Sequence, residues 1–151
     1  MSEKRDVLQN NRGIGFLVTQ VSHSITQCFN RAFEQYDITF PQSRVMAYLI
    51  RQQDKGDVNQ RDLESALGIK ASSISSLVRN LENKGFVECK RRAADARNKS
   101  ITLTEKGLAV QQQLDGLCIE IEDALTAGIS DAQIEGLADL LQKVRSNIEQ
   151  K

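Results

Sequence analysis

Apolar residues recur along this chain at intervals of three and four, and polar start and stop signals divide them into helix-length stretches. Residues 1–11 are polar and patternless, an end expected to fray. From Arg12, the residues Ile14, Leu17, Val18, Val21, Ile25, Cys28, Phe29, Ala32 and Phe33 hold helical spacing for about five turns. Thr39-Phe40-Pro41-Gln42 opens the next helix: Thr39 as cap, Pro41 in the first turn, Gln42 as the returning capping-box partner. Val45, Met46, Leu49 and Ile50 are its inner stripe, and Asp54-Lys55-Gly56-Asp57 breaks it.

A short helix then opens at Asn59, a side-chain cap with Asp62 three residues on. Leu63, Ala66 and Leu67 share one face, and Gly68 supplies the left-handed turn that ends it. The following helix has Ile74, Leu77, Val78 and Leu81 on its core stripe. Its other face carries Ser72, Ser73, Ser75, Ser76 and Arg79, short hydroxyls and one fork of donors suited to close approach to a polar surface. Two helices joined this way occur in many all-α domains. A helix-turn-helix places such a face in the major groove of DNA.

The stretch after Gly85 favours that second reading. The runs Phe86 to Arg92 and Ser100 to Thr104 are short and β-prone, with the polar loop AADARNK between them. A hairpin directly after a recognition-type helix is a wing. Thr104 then caps a long helix to about Thr126, with Leu114, Leu117, Ile121 and Leu125 at helical spacing, and Gly128 ends it. Ser130 to Gln133 forms another capping box. The last helix carries Ile134, Leu137, Leu141, Val144 and Ile148, the alternation of a helix seam. An intramolecular hairpin accounts for part of these terminal seams. Together with the long first helix they exceed what one small winged domain needs, so a dimerisation layer is the preferred reading.

Charge changes the picture next. The 151 residues hold 20 basic and 20 acidic side chains, yet the signs are segregated. Residues 70–99 carry eight basic residues (Lys70, Arg79, Lys84, Lys90, Arg91, Arg92, Arg97, Lys99) against three acidic ones, Glu82, Glu88 and Asp95. Residues 100–151 carry four basic against nine acidic. Edge-strand protection alone explains Lys90 and Arg92. A positive block that spans helix and hairpin is what phosphate binding needs.

The pattern of LENKGFV at the end of the helix-turn-helix, Asp95-Ala96-Arg97 in the wing, and Ile101-Thr102-Leu103-Thr104-Glu105-Lys106-Gly107 beyond it resembles the MarR family of bacterial transcription regulators. The resemblance spans nearly the whole chain. It implies one domain over residues 1–151, all-α with a small β-wing: a winged helix-turn-helix at 39–104, with the helix-turn-helix at about 59–84 and the wing at about 86–104. Residues 12–36 and 104–149 would be dimerisation helices intertwined between subunits. It also implies that Arg97 enters the minor groove while Asp95 holds the wing arginines, and a narrow minor groove does attract arginine. One departure is Lys70, where the family often has a capping Asp or Ser; Ser72 is the substitute cap.

The expected DNA-binding set is therefore Ser72, Ser73, Ser75, Ser76, Arg79, Lys90, Arg91, Arg92, Asp95, Arg97 and Lys99. The expected function is a sequence-specific, homodimeric repressor on a pseudo-palindromic double-stranded operator. A small phenolic or lipophilic anionic effector would release it, with Phe16, His23 and Tyr48 as candidate ligand-lining residues. Composition is that of an ordinary globular chain, with no apolar run long enough to span a membrane and no signal-peptide core, so a cytoplasmic location is expected. There is no phosphate loop, nucleophile motif or metal-ligand spacing, and His23 is the lone histidine, so neither an enzyme, a cofactor nor a metal is expected. Three cysteines without CxxC spacing argue against a disulfide framework. Cys28 and Cys118 read as core. Cys89 stands beside Lys90 and Arg91, whose charges would lower its thiol pKa, and is the candidate for the alternative of a redox-sensing regulator. Family members that sense oxidants usually do so near the start of the first helix, where this chain has no cysteine. A winged-helix module for protein contacts is the remaining alternative.

Overall fold

A computed structural model of the chain describes Glu3, Asp6, Gln9, Asn10 and residues 13–92 and 95–151, without the side chains of residues 92 and 95–98. Its elements run α1 (Ile14–Phe33), a 3-10 turn (Glu34–Tyr36), α2 (Phe40–Gln52), α3 (Gln60–Leu67), α4 (Ala71–Asn83), β1 (Val87–Arg92), β2 (Asp95–Leu103), α5 (Glu105–Thr126) and α6 (Asp131–Glu149). Six helices and one two-stranded antiparallel sheet among the described residues make a winged helix-turn-helix, as the polarity pattern predicts. The chain divides into two compact units, Met1–Leu117 and Cys118–Lys151.

Local signals set the helix starts. Thr39 accepts from the Gln42 amide while the Gln42 side chain accepts from the Thr39 amide at 3.0 Å. Asn59 and Asp62 exchange the same pair of bonds, both at 2.9 Å. Ser130 and Gln133 repeat the arrangement at the start of α6. Each such cap satisfies two amides that a helix start leaves orphaned, and losing one costs about 1 kcal/mol. Gly68 ends α3 at φ 63, where a side chain would be strained. The recognition helix α4 departs from expectation. It begins at Ala71 behind Lys70, which makes no side-chain cap, and Ser72 lies inside the first turn, so Ser72 is not the cap.

The core of the first unit is built where α2, α3 and α4 pack on one another. Phe33, Val45, Met46, Leu63, Ile74 and Leu81 are fully enclosed there. Each contributes about 1.5–3 kcal/mol by leaving water. Phe29 extends this core, stacking on Phe40 at 4.4 Å between ring centroids.

In the wing, Val87 pairs with Leu103 and Cys89 with Ile101 on the inward face, while Glu88, Lys90 and Thr102 face out. The Ile101 amide also donates to the Val58 carbonyl at 2.8 Å, tying the hairpin to the segment before α3. The second strand is longer than its β-prone run. It starts at Asp95, inside the expected AADARNK loop, because a register shift between Arg91 and Arg92 lets pairing resume beyond it.

Thr104 and Gly107 close the wing onto α5. The Thr104 hydroxyl donates to the Gly85 carbonyl at 2.6 Å and accepts the Gly107 amide at 3.0 Å. Its own amide donates to the Phe86 carbonyl at 3.1 Å. A β-carbon at position 107 would collide with that same Phe86 carbonyl oxygen. Lys106 donates to the Lys84 carbonyl at 2.9 Å with its ammonium 4.9 Å from the Phe86 ring centroid. Lys84 in turn donates to the Asp37 carbonyl at 2.6 Å and the Gln42 side chain at 3.3 Å.

Much of the terminal apolar surface has no partner within its own unit. Ile14, Phe16, Leu17, Val18 and Val21 are exposed on α1, and α6 buries no residue at all. Cys28, expected in the core, is exposed for the same reason: only Phe29 and Phe33 of α1 reach the interior. Cys118 is half-buried.

Gly107→Ala should destabilise the fold by about 3 kcal/mol, since the obstructing atom belongs to backbone that cannot turn away. A melting curve checks this; a wild-type midpoint would mean that α5 can shift to make room.

Candidate nucleic-acid interface

The outward face of α4 follows from its periodicity. With Ile74, Val78 and Leu81 buried, Ser72, Ser76 and Arg79 are turned outward and exposed. The Ser76 hydroxyl donates to the Ser72 carbonyl at 3.2 Å, which leaves its oxygen free to accept. Ser73 is half-buried. Ser75 faces α3 instead, donating from its hydroxyl to the Gln60 side chain at 3.2 Å. Leu77, expected on the core stripe, is only half-buried.

Lys90, Arg91 and Lys99 are exposed on the wing, in the same unit as the serine face. Lys90 lies 4.0 Å from Glu88, a pair so open to water that it contributes little. Arg92, Asp95 and Arg97 belong to the wing strands by backbone, and their side chains fall outside the described residues.

Between α3, α4 and the wing lies an open cleft of about 570 Å³ whose charged lining includes Arg61, Glu64, Arg79, Glu82 and Lys99. Arg61 and Gln60 on this cleft are absent from the expected set. The only signal for them is their place in the first turn of α3, and that signal needs the tertiary contact with α4 to become meaningful.

Cys89 also lines the cleft, and here the expectation is reversed. Burial pushes its thiol up to about 11, the hydrogen bond and negative charge of Glu82 push the same way, and Lys99 opposes them weakly. The expected influence of Lys90 and Arg91 does not arise, since strand alternation turns Lys90 outward and Arg91 is exposed. A thiol held protonated near neutral pH is a poor nucleophile, so the geometry does not favour redox sensing at Cys89.

Of the expected ligand-lining residues, Phe16 and His23 are exposed on α1 and Tyr48 is half-buried on α2. Three clefts of the winged unit, beside Glu64, Val58 and Ile38, are lined by other residues. Among the described residues, no cluster of three or more His, Cys, Asp or Glu is placed to hold a metal, and no helix is long and apolar enough to cross a membrane.

The sequence profile of the MarR family matches residues 36–98, from the end of the 3-10 turn into the second strand of the wing. Among solved structures, the MepR–DNA complex from S. aureus is 29% identical, with 90% of this chain and 96% of that chain covered and a TM-score of 0.81. MepR itself, a transcription regulator of the Staphylococcus aureus multidrug efflux pump MepA, is 30% identical over 90% of this chain and 98% of its own, at a TM-score of 0.64. The transcription regulator MarR from Oenococcus oeni PSU-1 is 26% identical, with coverages of 89% and 99% and a TM-score of 0.72.

At pH 7.5 a maleimide should label Cys89 at least ten-fold more slowly than it labels a free thiol such as glutathione. The Cys89 rate should go on rising with pH past 9.0, the ordinary thiol pKa where a free thiol levels off, until about 11. Glu82→Gln, which removes the carboxylate charge, should shift that rise to lower pH. A Cys89 rate equal to that of the free thiol at neutral pH would contradict the assigned environment.

Proposed function

Because the chain belongs to the MarR family of transcription regulators, we propose that it acts as a homodimeric repressor on a pseudo-palindromic DNA operator and leaves it on binding a small effector. The observation that carries this reading is the outward face of α4, hydroxyls and Arg79, in one unit with exposed wing cations. A groove of DNA offers acceptors and donors to the first and phosphates to the second. MepR, alike over nine-tenths of this chain, has been solved bound to DNA.

In this reading Ser72, Ser73, Ser76 and Arg79 approach base edges, and Lys90, Arg91, Arg92 and Lys99 meet phosphates. Arg97 enters the minor groove with Asp95 ordering the wing arginines. Residues 12–36 and 104–149 supply the dimer layer, and their unpartnered apolar residues support that assignment. Two-fold symmetry sets two recognition helices about one helical turn apart on DNA. The effector, a small phenolic or lipophilic anion, acts by binding better to a dimer whose helix spacing no longer fits the grooves.

Selection of bound duplexes from a random pool tests the reading. A pseudo-palindromic winner whose affinity falls steeply with salt is expected; absence of any enrichment would overturn it. On that duplex Arg97→Ala should weaken binding to all sequences, by roughly ten-fold. Arg79→Ala should instead compress the preference between the winner and its single-base variants. An unchanged preference would remove Arg79 from the base-reading set. Glutamates at Leu137 and Leu141, which are 51% and 42% exposed, should leave the helix content intact. They should also convert the dimer to monomer in sedimentation equilibrium and abolish operator binding. A dimer that survives both changes would place the interface elsewhere.

A further inference from the structure

The amide nitrogen and the amide oxygen of Gln60 both reach from α3 to α4. Its Nε2 has three acceptors within reach, the Ser75 hydroxyl at 2.9 Å, the Ala71 carbonyl at 3.1 Å and the Glu64 carboxylate at 3.3 Å. Its Oε1 accepts the Ser75 hydroxyl at 3.2 Å. Whether Ser75 donates to Oε1 or accepts from Nε2, its hydroxyl is held by the Gln60 amide. This joint grips the first turn of α4, the end that Lys70 leaves without a side-chain cap. Ser72 precedes Ser75 by one turn of the same helix and Ser76 follows it directly, both facing outward.

We infer that Gln60 is a positioning residue for sequence discrimination: through Ser75 and the Ala71 carbonyl it sets where the reading end of α4 sits, without touching a base itself. Ser75 then leaves the base-reading set and becomes the second half of this joint. The chemistry favours discrimination over affinity. Base-edge hydrogen bonds weaken steeply once donor angles fall off line, whereas phosphate contacts from flexible lysines and arginines follow a small shift. Residues on α4 that read bases depend on the joint, and wing cations do not. The inference rests on the proposed DNA-binding function.

The test is a double-mutant cycle on the pool-selected duplex and a scrambled duplex of equal length at one salt concentration. Wild type, Gln60→Ala, Ser75→Ala and the double variant are compared, with melting curves for each. Gln60→Ala should lower the ratio of selected to scrambled affinity by about ten-fold, within the range of coupling between touching residues. The double variant should be no worse than Gln60→Ala, because the two side chains act as one unit. Gln60→Met, which keeps the length of the side chain without its amide and adds no charge beside Glu64, should lose discrimination as Gln60→Ala does. Losses that multiply in the double variant would show two independent contacts with DNA and overturn the inference. So would an unchanged ratio, or equal losses on both duplexes that track a fall in folded protein. A wild-type chain that selects no duplex refutes the regulator reading itself.

Discussion

The contact between the Phe86 carbonyl and the backbone of Gly107 is the constraint on which the winged unit depends. No side chain fits between them, so α5 can lie against the turn that leaves α4 only if residue 107 is glycine. Thr104 makes that approach favourable, using one hydroxyl to bridge the Gly85 carbonyl and the Gly107 amide. The base of the wing, the exit of the recognition helix and the start of α5 therefore meet in one hydrogen-bonded knot. The short signature of threonine, two spacer residues and glycine acquires its physical meaning there.

The hydroxyl-rich face of α4 divides into two jobs. Ser72 and Ser76 face outward, whereas Ser75 is spent on Gln60. The lysines divide as well. Lys84 and Lys106 sit on backbone carbonyls at the joint, while Lys90 and Lys99 remain open to solvent. A count of charges or serines in the chain thus overstates what a partner can meet. The Cys89 thiol gives the same lesson in reverse, since burial and Glu82 outweigh the cations that neighbour it in sequence.

The capping boxes at Thr39, Asn59 and Ser130 were fully legible, because a cap needs only residues three apart. So were the turn at Gly68 and the inward stripe of Ile74, Val78 and Leu81. Features that depend on distant partners were not. Gln60 and Ser75 are 15 residues apart, and nothing in either one's neighbourhood announces the other. Cys28 read as core because its apolar stripe is real, but the stripe has no partner within its unit. The strand that begins at Asp95 lies in residues of poor β propensity and exists because pairing with β1 overrides it. Ser72 failed as a cap for a different reason, since α4 starts before it with no side-chain cap.

The two ends of α4 are held very differently. Its exit is locked by Gly85, Phe86, Thr104 and Lys106, while its entry has one glutamine amide and no cap. Ile74 anchors the entry in the core, and beyond that anchor the grip of Gln60 is what fixes it. The outward serines therefore sit at the end of the recognition helix with the fewer polar ties, where one amide grip carries the most weight.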